Sequence, residues 1–198
     1  LMKLRAWAWD PTAAPAEEVL QPARRALALD PSESWCHLVF GQIAMYLGSL
    51  AEAEAHHIKA CELNPFDAHI MALRAPLAVY LGKPDEGERW ARRAIALNPR
   101  HPDWYVTNLG LALYMLGRYE DAVAAYAMVA EPQVGILAGF AASHAQAGDT
   151  RTAADAKKRL LGLTPSFSAR RFVDSKPFRH DADRLHLLRG LEKAGLPL

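Results

Sequence analysis

Leucine–glycine pairs recur at Leu47-Gly48, Leu81-Gly82 and Leu116-Gly117, and Gly148 stands in the same setting. Five residues after each glycine comes a small residue: Ala53, Gly87, Ala122 and Ala153. Seventeen residues after Gly48, Gly82 and Gly148 come Pro65, Pro99 and Pro165. The glycines are spaced by 34, 35 and 31 residues. The extra residue falls at Arg100-His101-Pro102, and three are missing around Glu131-Pro132-Gln133. A period kept through four units, with its slips confined to loops, restricts the chain to a stack of like supersecondary units. Each unit buries its apolar face against the next.

Between these marks the apolar residues recur at helical spacing. The pattern predicts first helices over about 34–47, 67–81, 102–116 and 134–147, and second helices over about 50–63, 84–97, 119–130 and 150–163. Glycine supplies the left-handed residue that ends a first helix, and the prolines after Asn64 and Asn98 end second helices. Upstream, residues 1–9 read as one or two turns of helix stopped by Asp10-Pro11, residues 11–15 as loop, and Glu17 to Leu29 as helix. Pro22 should kink that helix or mark its true start. No sustained period-two alternation and no Asn-Gly or Asp-Gly hairpin turn is present. The organisation is a partial unit (1–30), repeats 31–64, 65–98, 99–133 and 134–165, and a closing segment 166–198.

Counted from Ser34, Ala68, Asp103 and Val134, near the starts of the first helices, small residues stand at the eighth position (Gly41, Ala75, Gly110, Ala141), and small or apolar ones at the twenty-seventh (Ala60, Ala94, Val129, Leu160). Helix axes approach within about 8–10 Å only where contact residues are small. Period and positions together resemble the tetratricopeptide repeat over roughly residues 12–165. The resemblance implies an all-α fold, a right-handed superhelix of helical hairpins whose first helices line the concave face. There are departures. Arg74 stands where an apolar residue is usual, Pro76 lies inside a first helix and should kink it, and Val134 replaces the expected proline. The tail PFRHDADRLHLLRGLEKAGLP is similar to the closing segment of repeat arrays at the C-termini of bacterial class III adenylate or guanylate cyclases and winged-helix regulators. That likeness implies a regulatory or sensory module of a larger signalling protein whose effector domain is absent from this chain, or a stand-alone relative. It opens on Leu1 rather than Met, compatible with a piece of a longer polypeptide.

The family geometry places Trp35, Gln42 and Tyr46 of the first unit, His69 and Tyr80 of the second, and Trp104, Thr107, Leu111 and Tyr114 of the third on the concave face, with Asn108 beside them. The fourth unit shrinks to Gly135, Ala138, Ala142, Ala145 and Gln146. The expected groove is aromatic and apolar. Lys, Arg and Asn, which clamp a partner's carboxylate in arrays of this kind by charge-assisted hydrogen bonds, are nearly absent, so an apolar peptide or protein segment is the expected ligand. In the tail, after a short helix from Ser166 to Val173, a helix near Ala182 to Ala194 should cap the solenoid. Leu185, Leu187, Leu188 and Leu191 would face the last repeat, and Asp183, Arg184, Arg189 and Lys193 water. Self-association through the concave aromatics or an uncapped N-terminal end is a weaker expectation.

The chain carries 23 basic and 22 acidic residues, a net charge of +1, which gives no electrostatic reason to expect nucleic acid or an anionic membrane as partner. Cys36 and Cys61 are too few for a disulfide framework and read as thiols in a reducing compartment. With no signal peptide and no apolar run of spanning length, a cytoplasmic location is expected. His57 and Cys61 are four apart on one helix face, but a third metal ligand is not apparent. His101 is expected in a solvent-facing loop. No phosphate loop, GxSxG or HExxH occurs. The expectation is a scaffold with no catalytic residues, metal or cofactor.

Overall fold

The computed structural model describes residues 16–198, and the readings made for residues 1–9 and 11–15 lie outside them. Among the described residues the chain forms eleven helices and no strand: α1 (Ala16–Leu29), α2 (Ser34–Tyr46), α3 (Leu50–Leu63), α4 (Ala68–Tyr80), α5 (Pro84–Leu97), α6 (Trp104–Met115), α7 (Tyr119–Ala127), α8 (Val134–Ala147), α9 (Thr150–Leu163), α10 (Ala169–Asp174) and α11 (Asp181–Lys193). Helices α2 to α9 pair into four hairpins, and each hairpin packs on the next. The arrangement is the expected all-helical stack.

Each turn closes by the same device. At the first, Gly48 has a φ of 81°, a left-handed conformation that a side chain disfavours. The Gly48 N–H donates to the Met45 carbonyl at 3.0 Å and the Ser49 N–H to the Ala44 carbonyl at 2.9 Å. The last carbonyls of α2 are thereby satisfied as the chain reverses. Lys83 to Ala78, Arg118 to Leu113 and Asp149 to His144 repeat the second of these bonds.

The small positions lie where the helices touch. Ala75, Ala141, Ala53, Ala122, Ala60 and Ala94 are fully buried. The third hairpin shows why size matters. A Cβ on Gly110 would lie 2.7 Å from the Tyr126 ring, and one on Gly139 of the next unit 2.6 Å from its hydroxyl. Tyr126 of α7 is therefore seated between two glycines on α6 and α8, and its burial raises its pKa. In the first hairpin His57 takes the equivalent role. It is fully buried against Gly41, whose Cβ would lie 2.7 Å from the imidazole, and burial depresses its pKa to about 3. Neighbouring Arg74 and His56 lower it further. Cys61 packs separately, beside Trp35 and Leu38.

Several expectations need correction. Helix α1, described from Ala16, runs through Pro22, so Pro22 does not mark its start; Pro22 is exposed, and water can meet the carbonyl its missing N–H leaves free. Helix α7 ends at Ala127, nine residues long where α3, α5 and α9 have 14, and Met128 and Val129 donate to Ala125 and Tyr126 in tighter i→i−3 bonds, so the missing residues are taken from the helix end rather than from the loop. Arg74 is accommodated at its apolar position by lying 4.6 Å over the Trp90 ring. The short tail helix spans Ala169–Asp174, later than expected.

Gly110→Leu should drive α6 off Tyr126 and lower stability by about 1–3 kcal/mol or more; an unchanged thermal melt would contradict this packing. The His57 pKa makes a second prediction. Below pH about 6.5 the unfolded chain takes up a proton that folded His57 refuses, so stability falls as pH drops from there toward about 3. His57→Gln should remove up to about 1.4 kcal/mol per pH unit of that slope, measured by urea unfolding across the range.

Candidate functional site

The first helices α2, α4 and α6 stand side by side. Trp35 and Tyr46 in the first unit, and His69 and Tyr80 in the second, are eleven residues apart on one helix, about 16 Å along its axis. The concave face therefore has two ends, one at the helix starts and one at the glycine turns, and the structure treats them differently.

At the helix starts lies a row of aromatic rings. Trp35 meets His69 edge-on at 5.8 Å between centroids, and His69 meets Trp104 at 5.6 Å. Beneath them Tyr105 is buried, with its ring 4.4 Å from Trp104 and its hydroxyl hydrogen-bonded to His69 Nδ1. His101 stacks on Tyr105 at 5.6 Å and is half-buried rather than solvent-facing as expected. Asp67 holds the row in place. Its carboxylate accepts the backbone N–H groups of His69 and Ile70 as the cap of α4, and also the indole N–H of Trp35 at 3.1 Å. Trp35, His69 and Trp104 each remain partly exposed. Thr107 bonds back to the Asp103 carbonyl at 3.1 Å and is half-buried.

Gln42 and Asn108 do something else. Pro76 lacks an N–H, so the carbonyl of Ala72 loses its helical donor. Helix α4 nevertheless spans Ala68–Tyr80 through Pro76. Asn108 of α6 supplies the missing donor to Ala72 at 2.8 Å, and from the other side Gln42 of α2 donates to Leu73 at 3.4 Å and to His57 Nε2 at 2.9 Å. Gln42 is buried. These two amides, expected as ligand contacts, are committed to neighbouring protein groups.

At the turn end, the first helices are covered by the chain's own tail. Tyr80 is buried under Phe178, ring to ring at 5.0 Å, and its carbonyl accepts the Arg179 N–H at 2.8 Å. Tyr114 is 1% exposed; His186 stacks on it at 5.0 Å, and its hydroxyl donates to the His186 carbonyl at 3.2 Å. Burial raises the pKa of both tyrosines. His186 Nε2 also hydrogen-bonds the Tyr119 hydroxyl at 3.0 Å. Leu111 and Tyr46 are half-buried against the main core. Tyr46 also borders an open cavity of about 690 Å³ between the first turn and the linker 174–179. Tyr80 and Tyr114 are thus not open groove positions. In the tail, Leu187, Leu188 and Leu191 face inward as expected, but Leu185 is 45% exposed. Asp183 and Arg184 are half-buried, and the Arg184 guanidinium lies near Asp174 and Asp181 at 3.7 and 3.6 Å rather than facing open water.

The tail's position was missed from the sequence, although both halves of the fit were visible. Ala138, Ala142 and Ala145 form a small-residue trough on α8, and residues 187–191 offer leucines around a glycine. Read as a taper in groove size and as an end cap, the two were not matched.

Among the described residues no three His, Cys, Asp or Glu side chains are grouped to hold a metal ion, and no helix is long and apolar enough to cross a membrane. No protein-family model and no curated protein matches the chain. Neither comparison supports the likeness of the tail to cyclase and regulator modules. Solved structures do match in fold. PilW, a widely conserved type IV pilus biogenesis factor, is 19% identical with a TM-score of 0.71, over 98% of this chain and 87% of that one. TTC0263, a thermophilic TPR protein in Thermus thermophilus, is 17% identical with a TM-score of 0.68, over 96% and 97%. YrrB, a TPR protein with an unusual peptide-binding site, is 19% identical with a TM-score of 0.57, over 76% and 79%.

Asn108→Ala should leave the Ala72 carbonyl unpaired and cost about 1–3 kcal/mol in chemical denaturation. Adding Pro76→Ala restores a helical donor to the same carbonyl and should recover much of the loss. Without that recovery, the bridge is not what Asn108 contributes. With these contacts in place, the fold is a stack of tetratricopeptide-type hairpins with its own C-terminal helix laid along the turn end of the concave face.

Proposed function

We propose that this chain is a non-catalytic scaffold that binds a protein or peptide segment along the open end of its concave face. The observation that carries the reading is the row Trp35, His69, Trp104, contributed by three successive hairpins and partly exposed on one surface. Large, rigid rings supply contact area with little side-chain entropy to lose. Asp67 pins Trp35 before any ligand arrives, which lowers the cost of binding further. The row spans at most about 11 Å from Trp35 to Trp104 through His69, about three residues of extended chain. Apolar side chains at both ends of such a stretch fit it. YrrB, whose description includes a peptide-binding site, shares the fold and lends the reading support.

Peptides selected from a displayed random 12-residue library against the full chain provide the test. Trp35→Ala and Trp104→Ala should each weaken the selected peptides tenfold or more while the chain keeps its helical circular dichroism and a single cooperative melt, at a lowered midpoint. Peptides that bind both variants as well as the parent would show that the row is not the site.

A further inference from the structure

The C-terminal helix does more than a solenoid end requires. A cap needs to cover only the open side of the last hairpin. Helix α11 instead packs on α8 and reaches α6, and the segment before it reaches α4 and the second turn. Phe178 lies on Tyr80, the Arg179 N–H bonds to the Tyr80 carbonyl, and a Cβ on Gly82 would lie 2.5 Å from the His180 ring. The tail thus runs back over units four, three and two, along the face on which a helical-hairpin array can hold a ligand.

Its fit is that of a bound helix. Leu187, Leu188 and Leu191 share one buried core with Ala138, Ala142 and Ala145 of α8. Gly190 is the close-contact point: a Cβ there would overlap the Tyr114 hydroxyl and lie 3.3 Å from Ala142. Hydrogen bonds to the array include those at Arg179, ahead of the helix, and at His186 and Lys193, seven residues apart on one side of it. The Arg184 contacts to Asp174 and Asp181 lie within the tail itself. Helix-in-groove recognition uses this combination of an apolar stripe, one small residue and few polar contacts.

We propose that the turn end of the concave face is a helix-binding seat, that α11 is its exchangeable resident, and that the partner it fits is an amphipathic helix with leucines around a glycine, in the register of residues 186–191. This rests on reading the concave face as a binding surface, and it makes the chain's accessible groove depend on where its tail lies. A partner helix would displace α11, lengthening the open groove from the aromatic row to Tyr80 and Tyr114.

The test uses the full chain and a fluorescent synthetic peptide of residues 179–198, so it reads the seat alone and does not depend on the aromatic row. Gly190→Val should lift α11 from Tyr114. The variant should keep its helical circular dichroism, show amide exchange in α11 at least 100-fold faster than the parent, and bind the peptide at least tenfold more tightly than the parent does. The same peptide carrying the Gly190→Val change should not bind. Equal binding to parent and variant, or no binding to a folded variant, overturns the proposal. His186→Ala, which loosens the tail without adding bulk, is the second arm and should give the same pattern more weakly. If both variants lose cooperative melting, α11 belongs to the folding core and the proposal fails.

Discussion

Close approach of helices at small residues is the constraint on which the array depends. Tyr126 makes the point physically. Its ring fits between Gly110 and Gly139 only because neither carries a Cβ, so one side chain ties the third hairpin to the fourth. His57 against Gly41 does the same inside the first hairpin. At such contacts a methyl group is already too large, whereas the exposed outer faces of α5 and α9 tolerate charge freely. Interiors packed at crystal-like density leave no other place for the strain to go. The repeat of 34 residues is the sequence trace of that geometry. It survives a one-residue insertion, which falls in the loop before α6, and a three-residue deletion, which is absorbed by the end of α7, nine residues long where α3, α5 and α9 have 14.

A second layer of organisation runs across the units. Pro76 removes a donor from the middle of α4, and Asn108 of α6 supplies one to the freed Ala72 carbonyl, while Gln42 of α2 donates to the adjacent Leu73 carbonyl. Polar side chains on the inward faces of consecutive hairpins thus become cross-braces, and α4 passes through its proline as a continuous helix. The Trp35–Asp67 bond acts in the same direction, from the first unit to the cap of the second. Such bonds fix the relative placement of units that apolar packing alone would leave free to slide, and the aromatic row depends on that placement.

Much of this was legible in the residues. Helix limits for α2 to α6 and α8 to α9 fall within about two residues of those read from glycine turns and apolar spacing, because the signals are local: a left-handed cap, a proline stop, a face of leucines and alanines. The contacts of Asn108, Gln42 and His101 were not legible. Each depends on a partner 31 or more residues away, or on a ring brought in from the adjoining turn, and nothing in the local pattern distinguishes a groove amide from a bracing one. Leu185 was misjudged for a related reason. Leucines at 185, 187, 188 and 191 span about 160° of the helix surface; Leu185, at one edge of that arc, is 45% exposed, whereas Gly190, beyond the other edge, packs on Tyr114.

That contact also changes what the concave face means. An array of first helices leaves a continuous apolar surface that must be covered by solvent, a partner or the chain itself. Here the fourth unit offers alanines rather than aromatics, and a helix with leucines on one side covers them. Side chains at the turn end match the tail in size, small opposite large, with Gly190 where Tyr114 protrudes. At the helix starts, Trp35, His69 and Trp104 have no such counterpart among the described residues and remain partly exposed. Because apolar burial is roughly proportional to area removed from water, a partner that covers only the aromatic row gains its own contacts. One that also takes the alanine trough must exceed what the tail already gains there. On the proposed reading, the trough would select among partners by comparison with a helix tethered beside it, through the length and leucine content of the competing segment.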